Sequence, residues 1–181
     1  MQQAEIGRAR VTDKHSLPTR GHVMHDFTLP STDGKRISLY DYRGHANLVL
    51  IFAGDVGQTT EKEFLSGLVQ HYAEIRTQDT EVLLVLAGSR EHAERTKHQA
   101  RLPFLVLVDE DMQIHKSVGA LGAQAVPAAA LYVTDRFLEV FAAWRTVEGN
   151  TLPSASEVLS WIDYINSECP ECTQAEWPVD D

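Results

Sequence analysis

Three continuous apolar runs limit the possible folds of this chain more than any other feature of its sequence. They are "LVLIF" at 48–52, "EVLLVLAG" at 81–88 and "LPFLVLVDED" at 102–111. Strands that are buried on both faces, as in parallel sheets, are composed of such runs. Because a helical pattern follows each of the first two runs, the sequence predicts an α/β protein with a mixed central sheet flanked by helices.

Apolar spacing of three to four residues predicts the helices that alternate with these strands. The first helix is predicted at 60–77, where Thr60 and Glu63 form a capping-box pattern that makes Thr60 the expected N-cap. Further helices are predicted at 89–100, through Ile114 and Val118, and from the capping box "SASE" at 154–157, which starts a last helix that buries Val158, Leu159, Trp161, Ile162 and Ile165.

Turn signals complete the expected organisation. Asp33-Gly34 predicts a hairpin early in the chain, and Asp135-Arg136 joins two late strands, "VPAAALYVT" and "FLEVFAAW". We therefore divide the chain into an N-terminal arm at 1–25, a single domain at 26–166 and a C-terminal tail at 167–181 that contains the motif "CPEC".

Composition excludes several classes of function. The 181 residues carry a formal net charge of −10, which argues against nonspecific binding of nucleic acid. No apolar run approaches the roughly 20 residues that span a bilayer, so no membrane partner is expected. The first ten residues, "MQQAEIGRAR", contain no hydrophobic signal region, and a cytoplasmic protein is the expectation.

Four stretches in order resemble the peroxiredoxin-like branch of the thioredoxin fold, the alkyl hydroperoxide reductase/thiol-specific antioxidant or redoxin family. They are "DFTLPSTDGKRISLYDYRG", "NLVLIFAGD", "LPFLVLVDEDMQIHKSVGA" and "AVPAAALYVTD", and the resemblance covers about residues 21–165. It implies a thioredoxin-like fold and nominal antioxidant or thiol–disulfide oxidoreductase activity. It also implies that the Val126-Pro127 peptide bond is cis and faces the loop at 54–59, beside the active site.

The sequence departs from that family at the expected site. Members place a reactive cysteine at the N-terminus of the first long helix, where backbone N–H groups and the helix dipole stabilise a thiolate. One alignment of this chain puts Gly57 and Thr60 at the cysteine positions, and the other puts Gln58 there. Because no cysteine precedes residue 169, we expect ordinary peroxidase chemistry at this position to be absent.

The only two cysteines, Cys169 and Cys172, lie in the tail and allow three interpretations. The pair could be redox-active, although the charges of Glu168 and Glu171 disfavour a thiolate nucleophile. It could be half of a tetrahedral zinc site, or it could be reduced and idle. For zinc, the missing ligands could come from His15, His22 or His25, or from the same motif of a second chain in a homodimer.

The length of the last helix, about 20 Å, predicts that the tail cysteines are remote from Gly57 and Pro127. Two functions are left open. The first is an oxidoreductase that uses Cys169 and Cys172 on protein thiols. The alternative is a catalytically silent module that holds a partner peptide in a groove formed by Asp55, Gly57, Val126 and Pro127, with the tail binding zinc or mediating dimerisation. No cofactor other than zinc is expected.

Overall fold

Seven strands and four α-helices form the protein in a computed structural model, which describes residues 18–54, 56, 59–146 and 151–168, apart from the side chains of Thr59 and Thr60. The strands are β1 (Thr28–Pro30), β2 (Arg36–Ser38), β3 (Asn47–Ala53), β4 (Thr80–Ala87), β5 (Leu105–Asp109), β6 (Ala130–Thr134) and β7 (Val140–Arg145). The helices are α1 (Thr59–Thr77), α2 (Arg90–Gln99), α3 (Gln113–Ser117) and α4 (Ala155–Ser167).

The central sheet has five strands in the order β5-β4-β3-β6-β7, and β1 and β2 form a separate antiparallel pair. Strands β3, β4 and β5 are parallel, whereas β6 runs antiparallel to β3 and β7 antiparallel to β6. We call the end of the sheet where β3, β4 and β5 finish the carboxyl edge, and the opposite end the amino edge. The mixed sheet confirms the predicted α/β class.

Alternate residues of β3 enter two different core layers, which explains its continuous apolar run. Val49 and Ile51 pack in the layer with α1, α2 and α4, while Leu48, Leu50 and Phe52 pack in the layer on the other face. All five side chains are buried. A central strand with both faces covered must be apolar at every position, so the sequence pattern follows directly from the layer structure.

The two capping predictions have different outcomes. Ser154 caps α4 as predicted, because its Oγ accepts a hydrogen bond of 3.2 Å from the backbone N–H of Glu157. Helix α1 already begins at Thr59, so Thr60 lies inside the helix and the prediction that Thr60 is the N-cap is wrong. An N-cap residue has non-helical backbone angles, which a residue within the helix cannot have.

The segment before β1 lies along the outer side of β7. Gly21 donates its N–H to the carbonyl of Val140 at 3.1 Å, and Val140 donates to His22 at 2.8 Å. Val23 and Met24 are 4% and 2% exposed, so this segment is anchored in the core. It covers part of an edge strand that would otherwise present unpaired backbone groups.

Trp161 is the one predicted core residue of α4 that is only half-buried. Val158, Leu159, Ile162 and Ile165 are buried as predicted. The ring of Trp161 instead packs edge-on against Trp144 of β7, with ring centroids 6.4 Å apart.

Among the described residues, no helix is long and apolar enough to cross a membrane.

Candidate functional site

The candidate site begins where β3 ends, at the carboxyl edge of the sheet. Gly54 follows β3 directly and lies against Pro127. A Cβ atom placed on Gly54 would be 2.7 Å from the Cβ of Pro127, closer than real side chains approach. The chain therefore needs glycine here, and Pro127 lies beside the start of the 54–59 loop as the sequence predicted.

The Val126-Pro127 bond is trans, and the prediction of a cis bond is wrong. Val126 has extended backbone angles, φ −80° and ψ 133°, which are the ordinary conformation for a residue before proline. A trans bond is also the lower-energy form for this kind of dipeptide, by about 0.5–1 kcal/mol. The expected thioredoxin-type groove loses the support that a cis proline would have given it.

A tightly closed loop holds Pro127 in place. The N–H of Gly122 donates to Val126 at 2.8 Å, and the N–H of Ala128 donates to Ala120 at 3.0 Å. Gln124 and Ala125 both have positive φ, 58° and 57°, a conformation that costs non-glycine residues energy. The loop presents Val126 to solvent with 58% of its surface exposed.

A buried histidine–aspartate pair lies at the same edge. Asp109 ends β5, and its Oδ2 accepts from the backbone N–H of His115 at 2.8 Å and lies 2.6 Å from His115 Nδ1. His115 Nε2 is 3.3 Å from the carbonyl oxygen of Ala53, the last residue of β3. Both side chains of the pair are 0% exposed. The pair thus links the end of β5 and helix α3 to the end of β3.

The electrostatics of this pair favour an ionised carboxylate. Burial acts to raise the pKa of Asp109, but the hydrogen bonds and charge of His115 outweigh it, and the pKa of Asp109 lies below its usual range. Both ring nitrogens of His115 face oxygen atoms, Nδ1 the carboxylate of Asp109 and Nε2 the carbonyl of Ala53. Asp109 Oδ1 has no hydrogen-bond partner among the described residues.

The sequence analysis did not find this pair. His115 follows Ile114 in α3 and lies on the same helix face as Val118, three residues later. A histidine on an otherwise apolar helix face was therefore one sequence signal for a buried histidine. An aspartate that ends a buried strand six residues earlier was the second signal. Neither residue type is specific alone, and the pairing depends on a turn between β5 and α3 that the sequence does not reveal.

Most of the residues predicted from the sequence to form the site fall outside the described part. Asp55, Gly57 and Gln58 of the loop, and Cys169 and Cys172 of the tail, are not among the described residues. The same holds for His15 and for the side chain of Thr60. Among the predicted groove residues, Val126 and Pro127 are placed, and the structure brings Pro127 to Gly54.

The end of α4 lies at the opposite edge of the sheet. Asn47, the first residue of β3, donates its side-chain N–H to Asn166 Oδ1 at 2.8 Å. The seven residues of β3 then separate this contact from Ala53 by about 20 Å. Glu168, the last described residue, is therefore at the amino edge. The remoteness of Cys169 and Cys172 from the loop stays a prediction, consistent with where α4 ends.

The described residues contain no ready-made metal centre. No group of three or more histidine, cysteine, aspartate or glutamate side chains among them lies close enough together to hold an ion. A metal site in this protein would need ligands from outside the described part.

Comparison with known proteins identifies the family. The model of the AhpC/TSA family matches residues 20–142. Peroxiredoxin Bcp of Escherichia coli K12 is 28% identical over 107 residues, which are 58% of this chain and 67% of that protein.

Solved structures share the fold. Peroxidoxin BcpB from Mycobacterium tuberculosis is similar with a TM-score of 0.71 and 15% identity, over 82% of this chain and 98% of that one. Mycobacterium tuberculosis AhpC is similar with a TM-score of 0.74 and 18% identity, over 87% and 99%. Because the family model matches well over half of its residues, this chain belongs to the AhpC/TSA family and has the thioredoxin-like fold of peroxiredoxins.

Proposed function

We propose that this protein is a thiol–disulfide oxidoreductase whose chemistry resides in Cys169 and Cys172, and that it does not reduce peroxide at the carboxyl edge of the sheet. One observation carries the proposal: both cysteines of the chain are in the tail, and residues 54–59 contain none. A protein of this family without a thiol at the N-terminus of α1 has no sulfur there for peroxide to oxidise.

The proposed reaction is an exchange that needs only the two tail thiols and a partner disulfide. The thiolate of one cysteine attacks a sulfur of the partner disulfide, forms a mixed disulfide and releases one partner thiolate. The second tail thiolate then attacks the first cysteine, closes the Cys169–Cys172 disulfide and releases the other partner thiolate, so that two electrons pass to the partner. A dithiol reductant returns the tail to its reduced form.

The surroundings of the N-terminus of α1, where the family carries its cysteine, support the absence of chemistry at that position. A threonine hydroxyl such as that of Thr60 needs an adjacent base to act as a nucleophile. A candidate base on this edge, His115, is fully buried, with Nδ1 beside Asp109 and Nε2 beside the carbonyl of Ala53. Its two nitrogens are committed to structural bonds, so it is not available as a base.

An insulin-reduction assay tests the proposal. The full chain, supplied with dithiothreitol, should accelerate the reduction of insulin disulfides, and Cys169→Ser/Cys172→Ser should reduce the rate to that of dithiothreitol alone. Thr60→Val serves as the matched control at the vacated position and should leave the rate unchanged. If the double variant kept the activity of the wild type, the proposal would be wrong.

Peroxide consumption tests the second half of the proposal separately. We expect no rapid peroxide loss with the reduced wild type and no difference between it and Cys169→Ser/Cys172→Ser beyond slow oxidation of the two tail thiols. Rapid catalytic turnover that persisted in the thiol-free variant would show that the 54–59 loop is reactive.

The second candidate function is a catalytically silent module that holds a partner peptide beside Pro127. The exposed side chain of Val126, which a hydrogen-bonded loop presents to solvent, favours this function. The trans Val126-Pro127 bond argues against a groove of the thioredoxin type. On a peptide array, Val126→Asp should lose the peptides that wild type and Cys169→Ser/Cys172→Ser both retain. Equal binding by all three proteins would exclude the loop as the binding surface.

A further inference from the structure

We propose that the groove between α1 and α2 binds a small organic anion, a carboxylate with an apolar body of medium length. The groove encloses about 550 Å³, a volume within the range of about 300–1,000 Å³ that is usual for small-molecule sites. Its described lining does not include Pro127, and the proposal does not depend on the exchange reaction of Cys169 and Cys172.

The two helices each present one face to the groove. Residues three and four apart share a helix face, and the lining follows this spacing, with Lys62, Leu65 and Val69 from α1 and His92, Arg95 and Gln99 from α2. Seven residue steps extend roughly 10 Å along a helix. The groove is therefore elongated, which favours an extended ligand over a compact one.

The apolar part of the groove belongs to the core of the protein. Val56, Leu65 and Val69 line it, and the first two are only 6% and 3% exposed. All three pack in the core layer that contains α1, α2 and α4. An apolar ligand body laid against them leaves water for a wall that is already closely packed.

Helix α2 is held in place without filling the space beside α1. Of its ten residues only Ala93 is buried. Its start is fixed by Ser89, whose Oγ accepts from the N–H of His92 at 3.3 Å, and by Arg90, which donates to the carbonyl of Thr32 at 2.8 Å. The groove is thus preformed, so little order must be gained when a ligand binds.

The polar part of the groove favours a negative ligand. Lys62, His92 and Arg95 line it, and no acidic side chain among the described residues does. This bias runs against the composition of the chain, which has 26 acidic and 16 basic residues. Charge complementarity therefore selects an anion.

The existing partner of Arg95 favours a single negative charge on the ligand. Arg95 Nη1 donates to Glu91 at 2.5 Å, but Glu91 is 81% exposed, and such a surface pair contributes little. A guanidinium has five N–H donors, so others remain for a ligand oxygen. Because one of the two cations is already paired in part, a carboxylate matches the groove better than a phosphate dianion.

His92 has hydrogen-bonding capacity that the protein leaves unused. Its Nε2 is shielded from solvent and has no hydrogen-bond partner among the described residues. A shielded polar nitrogen without a partner costs free energy. An oxygen of a bound carboxylate would supply the missing partner.

Strand direction orients the ligand in the groove. Strands β3 and β4 are parallel and α1 and α2 follow them, so both helices begin at the carboxyl edge. Lys62 and His92 lie in the first turns of their helices, where the helix dipoles also favour an anion. The carboxylate therefore lies toward the carboxyl edge, and the apolar body extends toward Val69.

Calorimetric titration of the full chain with octanoate tests the proposal. We expect one octanoate per chain, and affinity should rise by up to about fourfold per methylene from butanoate through hexanoate to octanoate. Acetate, which lacks the body, and octylamine, which reverses the charge, should not bind measurably. Cys169→Ser/Cys172→Ser should bind octanoate as the wild type does, which separates this proposal from the exchange reaction.

Variants on the two walls locate the site. Lys62→Glu should weaken octanoate binding by at least about threefold, while Lys116→Glu, the same change at an exposed lysine of α3, should leave it unchanged. His92→Leu should weaken binding without lowering the thermal stability, because it removes a nitrogen that has no partner. His98→Leu, at an exposed position of α2 outside this lining, is its matched control.

Three results would overturn the proposal. The first is the absence of saturable octanoate binding at millimolar concentration. The second is octylamine binding as tightly as octanoate, which would exclude recognition of the charge. The third is an equal affinity for octanoate in Lys62→Glu, His92→Leu and the wild type, which would place any bound carboxylate outside this groove.

Discussion

The two edges of the sheet differ in what they bury and in what they expose. At the carboxyl edge, an acid and an imidazole are sealed from solvent, and a glycine and a proline are packed in close contact. At the amino edge, two histidines and an arginine lie at the surface, where the helix that leads to both cysteines ends. The family normally carries its thiol at the carboxyl edge, and in this chain that edge is held together by close packing and buried hydrogen bonds.

This difference shows that packing and buried hydrogen bonds hold the carboxyl edge together without a thiol among the described residues. The Asp109–His115 pair and the Gly54–Pro127 contact connect β3, β5, α3 and the loop before β6 without any reactive group. The exchange proposed for Cys169 and Cys172 requires no reactive group in this part of the core. The following tests probe the two edges, from the largest expected effect to the smallest.

Breaking the buried pair should have the largest effect. His115→Leu leaves the carboxylate of Asp109 buried without its partner, and we expect a loss of about 3–5 kcal/mol in the free energy of unfolding, measured in urea. Asp109→Asn/His115→Leu removes the uncompensated charge and should lose less. A loss below about 1 kcal/mol in His115→Leu would contradict a stabilising role for the buried Asp109–His115 pair at the carboxyl edge.

Filling the close contact should have the next largest effect. Gly54→Ala puts a methyl group against Pro127, and we expect a loss of about 1–3 kcal/mol in unfolding free energy. Gly54→Ala/Pro127→Gly, which removes the Cβ of residue 127, should recover part of that loss, which a double-mutant cycle measures as coupling. Gly67→Ala in α1 is the control for a glycine-to-alanine change with a looser contact, because its Cβ would lie 3.1 Å from Ala155. Additive effects of Gly54→Ala and Pro127→Gly would show that the two residues do not constrain each other.

The pH dependence of stability should have opposite signs at the two edges. The pKa of Asp109 is lowered in the folded state, so its contribution to stability is fully present above the unfolded pKa of about 3.9 and is lost as the pH falls through the folded pKa. Burial raises the pKa of Asp135, in the turn after β6 at the amino edge, more than its backbone hydrogen bonds lower it. Its contribution is present at low pH and is lost as the pH rises through the folded pKa.

Urea unfolding at a series of pH values measures both signs. Asp109→Asn/His115→Leu should flatten the loss of stability on acidification. Asp135→Asn, which can still accept the N–H groups of Phe137 and Glu139, should remove the loss on raising the pH through the acidic range. The same sign of change in both variants would refute the contrast between the edges.

The smallest effect should come from the surface contact near the start of the tail. Tyr164→Phe removes the hydroxyl that accepts from the exposed Arg20, and we expect a change in thermal unfolding too small to measure. A large loss of stability would show that the contact at the amino edge supports the fold as strongly as the contacts at the carboxyl edge.

What the sequence could predict was set by burial and local geometry. The run at 48–52 predicted a strand covered on both faces, because Leu48 to Phe52 alternate between two core layers. "SASE" predicted the start of α4, because a capping box is a local arrangement. The same pattern failed at Thr60, because the helix had already begun one residue earlier.

What the sequence could not predict depends on contacts between distant residues. His115 and Asp109 meet the carbonyl of Ala53 only because β5 and β3 lie in one sheet with α3 folded across their ends. Such features need the tertiary structure.

Mass spectrometry of reaction mixtures with insulin tests most directly whether the chemistry lies in the tail. The reduced wild type should end as an internal Cys169–Cys172 disulfide, while at least one of Cys169→Ser and Cys172→Ser should accumulate a mixed disulfide with insulin through its remaining thiol. Peptide mapping should locate every modification in the tail. If the wild type and both single variants stayed fully reduced while insulin remained intact, the tail would not be the site of exchange and the account would be wrong.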